Sequence, residues 1–173
     1  MTAPEIFALT LRAEAGDRPV RALEALAALV VNRARLAAGE AGSRARFAPG
    51  AAPSDAPGGR AGGWAALLPQ VCRAPFLFGC WNPRHPNRRA LLAALRDRSA
   101  PSGGALPEPR PDPLLEVCRR IAQRAAAGAL PDPTLGATHW HDAAEMPGWA
   151  IGHVPTAEIG GLVFYRLPAA SAG

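Results

Sequence analysis

Residues 19–39 read PVRALEALAALVVNRARLAAG, and this stretch decides the fold class. A proline opens it, a glycine closes it, and alanine, leucine and valine fill the interior, the pattern of a helix with both ends marked. Its polar positions, Arg21, Glu24, Asn32 and Arg35, fall on one stripe with Ala28 among them. Most other sides are apolar, and a helix of that kind sits at the centre of its domain. The stretch therefore predicts a helical body packed around residues 19–39.

Working outward, residues 4–16, PEIFALTLRAEAG, form a first helix. Pro4 and Glu5 suit its first turn and Gly16 its end. Ile6, Leu9 and Ala13 share one face. Glu14 then falls in the last turn, where the helix dipole disfavours a carboxylate. That setting suits a proton donor, although position alone favours a solvated glutamate. Downstream, residues 39–63 are rich in Gly, Ala, Pro, Ser and Arg without periodicity, so a long loop is expected there. Residues 63–75 predict a short helix, residues 76–87 a turn-rich aromatic segment, and residues 88–98 another helix. A proline-rich run at 101–113 leads into an amphipathic helix carrying Leu114, Leu115, Cys118, Ile121 and Ala122 inward. Residues 131–141 and 158–168 are extended in character. The expected fold is mainly α (α+β), one domain spanning residues 1–173 with a small strand pair and no internal repeat.

Composition narrows the function classes. The chain has 173 residues, 49% of them hydrophobic, with a formal charge of +5. That is enough to bury a core. All nineteen Lys-or-Arg positions are arginine, part of a uniform Arg, Ala, Gly and Pro enrichment. The charge favours an anionic partner such as nucleic acid, a lipid surface or an acidic cell-wall polymer. No apolar run reaches the ~20 residues of a membrane span. The start lacks the basic and apolar regions of a secretory signal. Cys72, Cys80 and Cys118 form neither a zinc set nor a disulfide framework; Cys72 and Cys80 pairing across a short loop and three buried thiols are both open.

Residues 136–150, GATHWHDAAEMPGWA, bring two histidines, two tryptophans and acids together. On an extended segment His139 and His141 share a face. Two metal ligands and two walls of a groove both fit this spacing. A metal site would draw on His139, His141, His153, Asp142 and His85, yet no HExxH, helical HxxxH or CxxC pattern is present. Nucleic-acid binding is disfavoured too, because the arginines are scattered and the aromatics are not interleaved with them. A general acid with an aromatic groove is the third arrangement. Glu14 supplies the acid, and Trp64, Trp81, Trp140, Trp149 and Tyr165 supply flat faces with polar edges for sugar.

Six blocks in order carry a resemblance: AEAG (13–16), ALAALVVNR (25–33), FGCWN (78–82), GATHWH (136–141), PGWA (147–150) and IGGLVFYR (159–166). With them the chain resembles the cell-wall hydrolase family of the spore-cortex-lytic enzyme (SleB-like) type. The resemblance implies a lysozyme-like helical domain with a small β-hairpin, acting on peptidoglycan glycan strands in the periplasm or outside the cell. It implies Glu14 as the catalytic acid, at the first position of the family's EARGE block. Trp81, Asn82, His139, Trp140, His141, Trp149 and Tyr165 become the substrate-binding set. No metal and no other cofactor is expected. The implied reaction is a lytic transglycosylase's, with one glutamate cleaving the muramic acid to glucosamine β-1,4 bond. A non-catalytic peptidoglycan-binding module and a His-based metal-dependent hydrolase are the alternatives. Two positions depart from the family: Arg18 replaces the block's second glutamate, and Leu162 stands where a histidine is usual. They remove one helper carboxylate and one polar group from the cleft or its wall.

Overall fold

The structure, a computed structural model, describes residues 1–51, 63–74, 77–99 and 112–167. Six α-helices run in order: α1 (Ala3–Ala15), α2 (Val20–Gly39), α3 (Ala41–Phe47), α4 (Leu68–Arg73), α5 (Arg88–Ser99) and α6 (Pro113–Ala126). Strands β1 (His139–Asp142), β2 (Ala157–Ile159) and β3 (Leu162–Tyr165) follow, and short 3₁₀ turns cover Gly63–Leu67, Gly79–Trp81 and Gly148–Ala150.

Helix α2 spans the domain as its sequence requires, and Leu23, Leu26, Leu29 and Val30 are fully buried. Helix α1 is just as central, which its single predicted face understates. Phe7, Leu9 and Leu11 are buried as well, because α2, α4, α5, α6 and the Gly79–Trp81 turn all pack around it. Its start is fixed by Glu5, whose carboxylate accepts the Thr2 N–H at 2.7 Å, satisfying a donor that the helix leaves unpaired. Asp112 caps α6 by accepting the N–H groups of Leu114 and Leu115, while its other oxygen takes the Arg12 guanidinium at 2.6 Å. That ion pair ties α6 to α1.

The loop expected at 39–63 needs correction. Residues 41–47 form helix α3, held by Ser43 donating to Glu40, Arg44 donating to the Ala37 carbonyl, and Phe47 buried in the core. Residues 52–62 of that loop, and residues 101–111 of the proline-rich run, lie outside the described residues. The expected strand pair is also larger than the sequence indicates. The sheet has three strands in the order β1-β3-β2, antiparallel throughout, with His139 opposite Tyr165 and Ile159 opposite Leu162. Strands β2 and β3 meet in a tight turn at Gly160 and Gly161, both with positive φ, as two-residue hairpin loops require. The turn rests on α2's entry, near Pro19 and Ala22. Leu162, a departure from the family pattern, faces inward and is fully buried with Phe164. There it is core, and a histidine would need a polar partner. Among the described residues no helix is long and apolar enough to cross a membrane.

Candidate active site

A cleft of about 700 Å³ opens beside the C-terminal end of α1. Glu14 lies in it, 5% exposed, one residue before the helix ends. Both carboxyl oxygens are held. Oε1 accepts the Cys80 backbone N–H at 2.6 Å, and Oε2 accepts the Asn87 side-chain amide at 3.0 Å. The Cys80 donor is presented by the Gly79–Trp81 turn, and that turn depends on Gly79. A Cβ there would sit 2.5 Å from the His85 ring, so only glycine lets the imidazole lie against the backbone.

Further lining comes from β1 and the segment after it, through His139, Trp140, His141, Asp142, Glu145, Pro147 and Trp149. Trp149 is 40% exposed, with its ring centroid 5.7 Å from those of both histidines and 5.3 Å from that of Tyr165. The two histidines thus share a face, as alternation along a strand demands. Their ring nitrogens are committed. His139 Nε2 accepts from Arg46 at 2.9 Å, leaving Nδ1 to donate to the Thr138 hydroxyl. His141 Nδ1 donates to the Asp142 carbonyl at 2.7 Å, and Nε2 accepts from the Tyr165 hydroxyl at 3.0 Å. Among the described residues no three His, Cys, Asp or Glu side chains converge as metal ligands would.

Of the residues expected to meet substrate, Glu14, Asn82, His139, Trp140, His141 and Trp149 line the cleft. Trp81 and Tyr165 do not. Trp81 packs against the core and donates its indole N–H to Thr10 at 2.9 Å, and Tyr165 is buried behind His141. Trp64 packs against the core and carries Arg35 over its ring. Asp142 is in the cleft, but its carboxylate is engaged by the Arg18 guanidinium and the Ala144 N–H. Arg18, the other departure from the family pattern, therefore neutralises a carboxylate besides replacing one. Glu24 pairs with Arg124 and does not line the cleft. Asp17 is 94% exposed beside Arg12.

Sequence reasoning passed over Asn87, Arg33 and Glu145. Asn87 sits in a proline-broken loop, and nothing local marks it as Glu14's partner. Arg33 follows Asn32 on α2, and its side chain is buried. Its Nε donates to the Thr138 carbonyl at 2.7 Å, and its guanidinium lies over the Phe78 ring at 5.1 Å and the Phe47 ring at 5.8 Å. Burial pulls Arg33 from 12.5 down to about 9. The block at 25–33 contained it, and an arginine ending a buried helical run was the available signal.

Burial, then the charges of Arg33, Arg46 and His153, pull His139 from 6.5 down to about 4. The unfolded chain takes up this proton as pH falls below 6.5, and the folded one only near 4. Stability is therefore lost as pH drops through that window. Denaturant midpoints are expected to fall from pH 7 to pH 4, less steeply in His139→Gln. Parallel profiles for the two proteins would show that His139 makes no such contribution.

The fold is similar to that of the catalytic domain of the Bacillus cereus SleB protein, at 16% sequence identity and a TM-score of 0.52, over 95% of this chain and 89% of that one. A mainly helical domain with a small antiparallel sheet, the lysozyme-like α+β arrangement, is thus the fold of this chain. No family model matches the chain, and no curated protein matches it.

Proposed function

We propose that this chain cleaves peptidoglycan glycan strands at the muramic acid to glucosamine β-1,4 bond, as a lytic transglycosylase with Glu14 as both acid and base. One observation carries the reading. A buried carboxyl with both oxygens oriented stands in a cleft that is also lined by a half-exposed tryptophan packed against two histidines. The fold shared with the SleB catalytic domain supports it.

Glu14 gives its proton to the glycosidic oxygen as the muramic C1–O bond breaks. The resulting carboxylate takes the proton of the muramic C6 hydroxyl while that oxygen bonds to C1, and Glu14 returns to its starting state. Asn87 suits this cycle. Its Nδ2 donates to a carboxylate, and a half-turn of the amide presents Oδ1 to a protonated one, so Glu14 keeps a partner in both states. The Cys80 N–H holds Oε1 throughout.

A hydrolase would need a second carboxylate to activate water. Asp142 is held by Arg18, and Glu24 is outside the cleft. Glu145 lines the cleft from the loop after β1. Intramolecular capture needs none of them. Digested sacculi are therefore expected to carry 1,6-anhydro-muramyl ends, lighter than hydrolysed ends by one water. Mass spectrometry reads this directly. Reducing muramic ends as the main product would replace the assignment by hydrolysis, with Glu145→Gln and Asp142→Asn as the next variants. Retention on sacculi with no soluble fragment at any pH would favour a non-catalytic wall-binding module.

The proposed workplace is the cell wall, in the periplasm or outside the cell, and the proposed partner is the glycan strand.

A further inference from the structure

Beside the cleft lies a second concavity of about 420 Å³, lined by Pro83, Arg84, His85, Pro86, Arg88, Arg89, Leu92 and Ala93. His85 and Pro86 also line the cleft, so the two hollows share a wall. The shared ring is fixed in place, since His85 lies against Gly79 and its Nδ1 accepts the Asn87 N–H at 3.2 Å.

The arginines here differ from several others in the chain. Arg12, Arg18, Arg119 and Arg124 each pair with a carboxylate, and Arg33 and Arg44 donate to backbone carbonyls. Among the described residues no carboxylate pairs with Arg84, Arg88 or Arg89. Their backbone is nevertheless ordered by consecutive turns: Arg84 N–H donates to the Asn82 side chain, Arg88 N–H to the His85 carbonyl, and Arg89 N–H to the Pro86 carbonyl. Three like charges thus stand on an ordered backbone around one hollow, with no carboxylate paired to them among the described residues. Solvent or an anion from outside relieves their repulsion.

We propose that this concavity is an anion subsite that grips the carboxylates of the stem peptides carried by the glycan strand. The inference rests on the glycan-cleavage reading and deepens it. A strand lying in the cleft carries its muramic substituents outward. The hollow adjoining the cleft is where such a substituent meets positive charge. Guanidinium forks match carboxylates in a two-point geometry that ammonium groups lack. Pro83, Pro86 and Leu92 supply an apolar floor for the peptide's aliphatic parts.

The test compares intact sacculi with sacculi stripped of stem peptides by an amidase, using the full chain and the triple variant Arg84→Gln, Arg88→Gln, Arg89→Gln. On intact sacculi the variant's KM is expected to rise about tenfold, the sum of three exposed ion pairs, with kcat unchanged. On stripped glycan the two proteins should match. Replacing the same three residues by lysine should restore part of the affinity. Equal KM for variant and parent on intact sacculi, or an equal rise on both substrates, overturns the proposal. Competition by inorganic phosphate, with no effect of stripping, would assign the hollow to phosphate and also overturn it. Binding of a Glu14→Gln protein to both kinds of sacculi, measured by sedimentation, reads the subsite without turnover. If the parent protein cleaves neither substrate, the glycan-cleavage reading fails, while that binding measurement still decides the subsite.

Discussion

Glu14→Gln is expected to leave the fold intact and lower glycan cleavage at least ~10²-fold, the usual minimum for losing a general acid. The replacement is close to isosteric. Its oxygen still accepts the Cys80 N–H, and Asn87 turns its own oxygen toward the new amide, so both contacts at the site survive. Only the transferable proton is lost. An unchanged melting temperature with collapsed turnover is the expected pair of results. Near-parental turnover by a folded Glu14→Gln protein would remove Glu14 from the mechanism.

The largest stability effect is expected at the hairpin turn. Gly160 has φ +60°, and a Cβ there would stand 2.8 Å from the Ala22 Cβ and 3.1 Å from the Pro19 Cγ. A branched residue meets both the left-handed backbone cost and an overpacked contact with the entry of α2, so Gly160→Val should cost about 3 kcal/mol. For a domain of this size that is a drop of roughly 10 °C in Tm. Gly161→Ala is the control. It shares the positive φ but meets only Arg18 Nε at 3.9 Å, so its cost should stay near ~1 kcal/mol. Equal losses at the two positions would show that the turn is not seated on α2.

The contrast between what the sequence reveals and what it hides follows from how far each cause reaches. Helices α2 and α6 were legible because their periodicity, proline starts and glycine stops are local. The lysozyme-like fold was legible through ordered blocks that no single segment carries. Glu14 was legible as a candidate because its place in the last turn of α1 is set by the chain around it. Asn87 was not, because it meets Glu14 across 73 positions of sequence. Residue type and the ordered blocks point Trp81 and Tyr165 toward sugar, but where each side chain packs is set by residues distant in sequence, and neither lines the cleft. The indole of Trp81 finds its partner in Thr10, and Tyr165 backs His141. Helix α3 escaped notice because a seven-residue helix is too short to show a period, and its stability comes from Phe47 in the core.

The three cysteines are free and buried, and this gives the molecule a built-in clock. Burial pushes the thiols of Cys72 and Cys118 up to about 12, and burial with the neighbouring Glu14 charge pushes Cys80 up as well. At neutral pH almost no thiolate exists, and none of the three sulfurs meets an alkylating reagent while the domain is closed. Labelling then proceeds only through transient openings, at a rate that counts them. Cys80 sits in the turn that seats Glu14, whereas Cys118 sits on α6. Separate labelling times for these two thiols report whether the catalytic seat breathes on its own or only when the helical body comes apart.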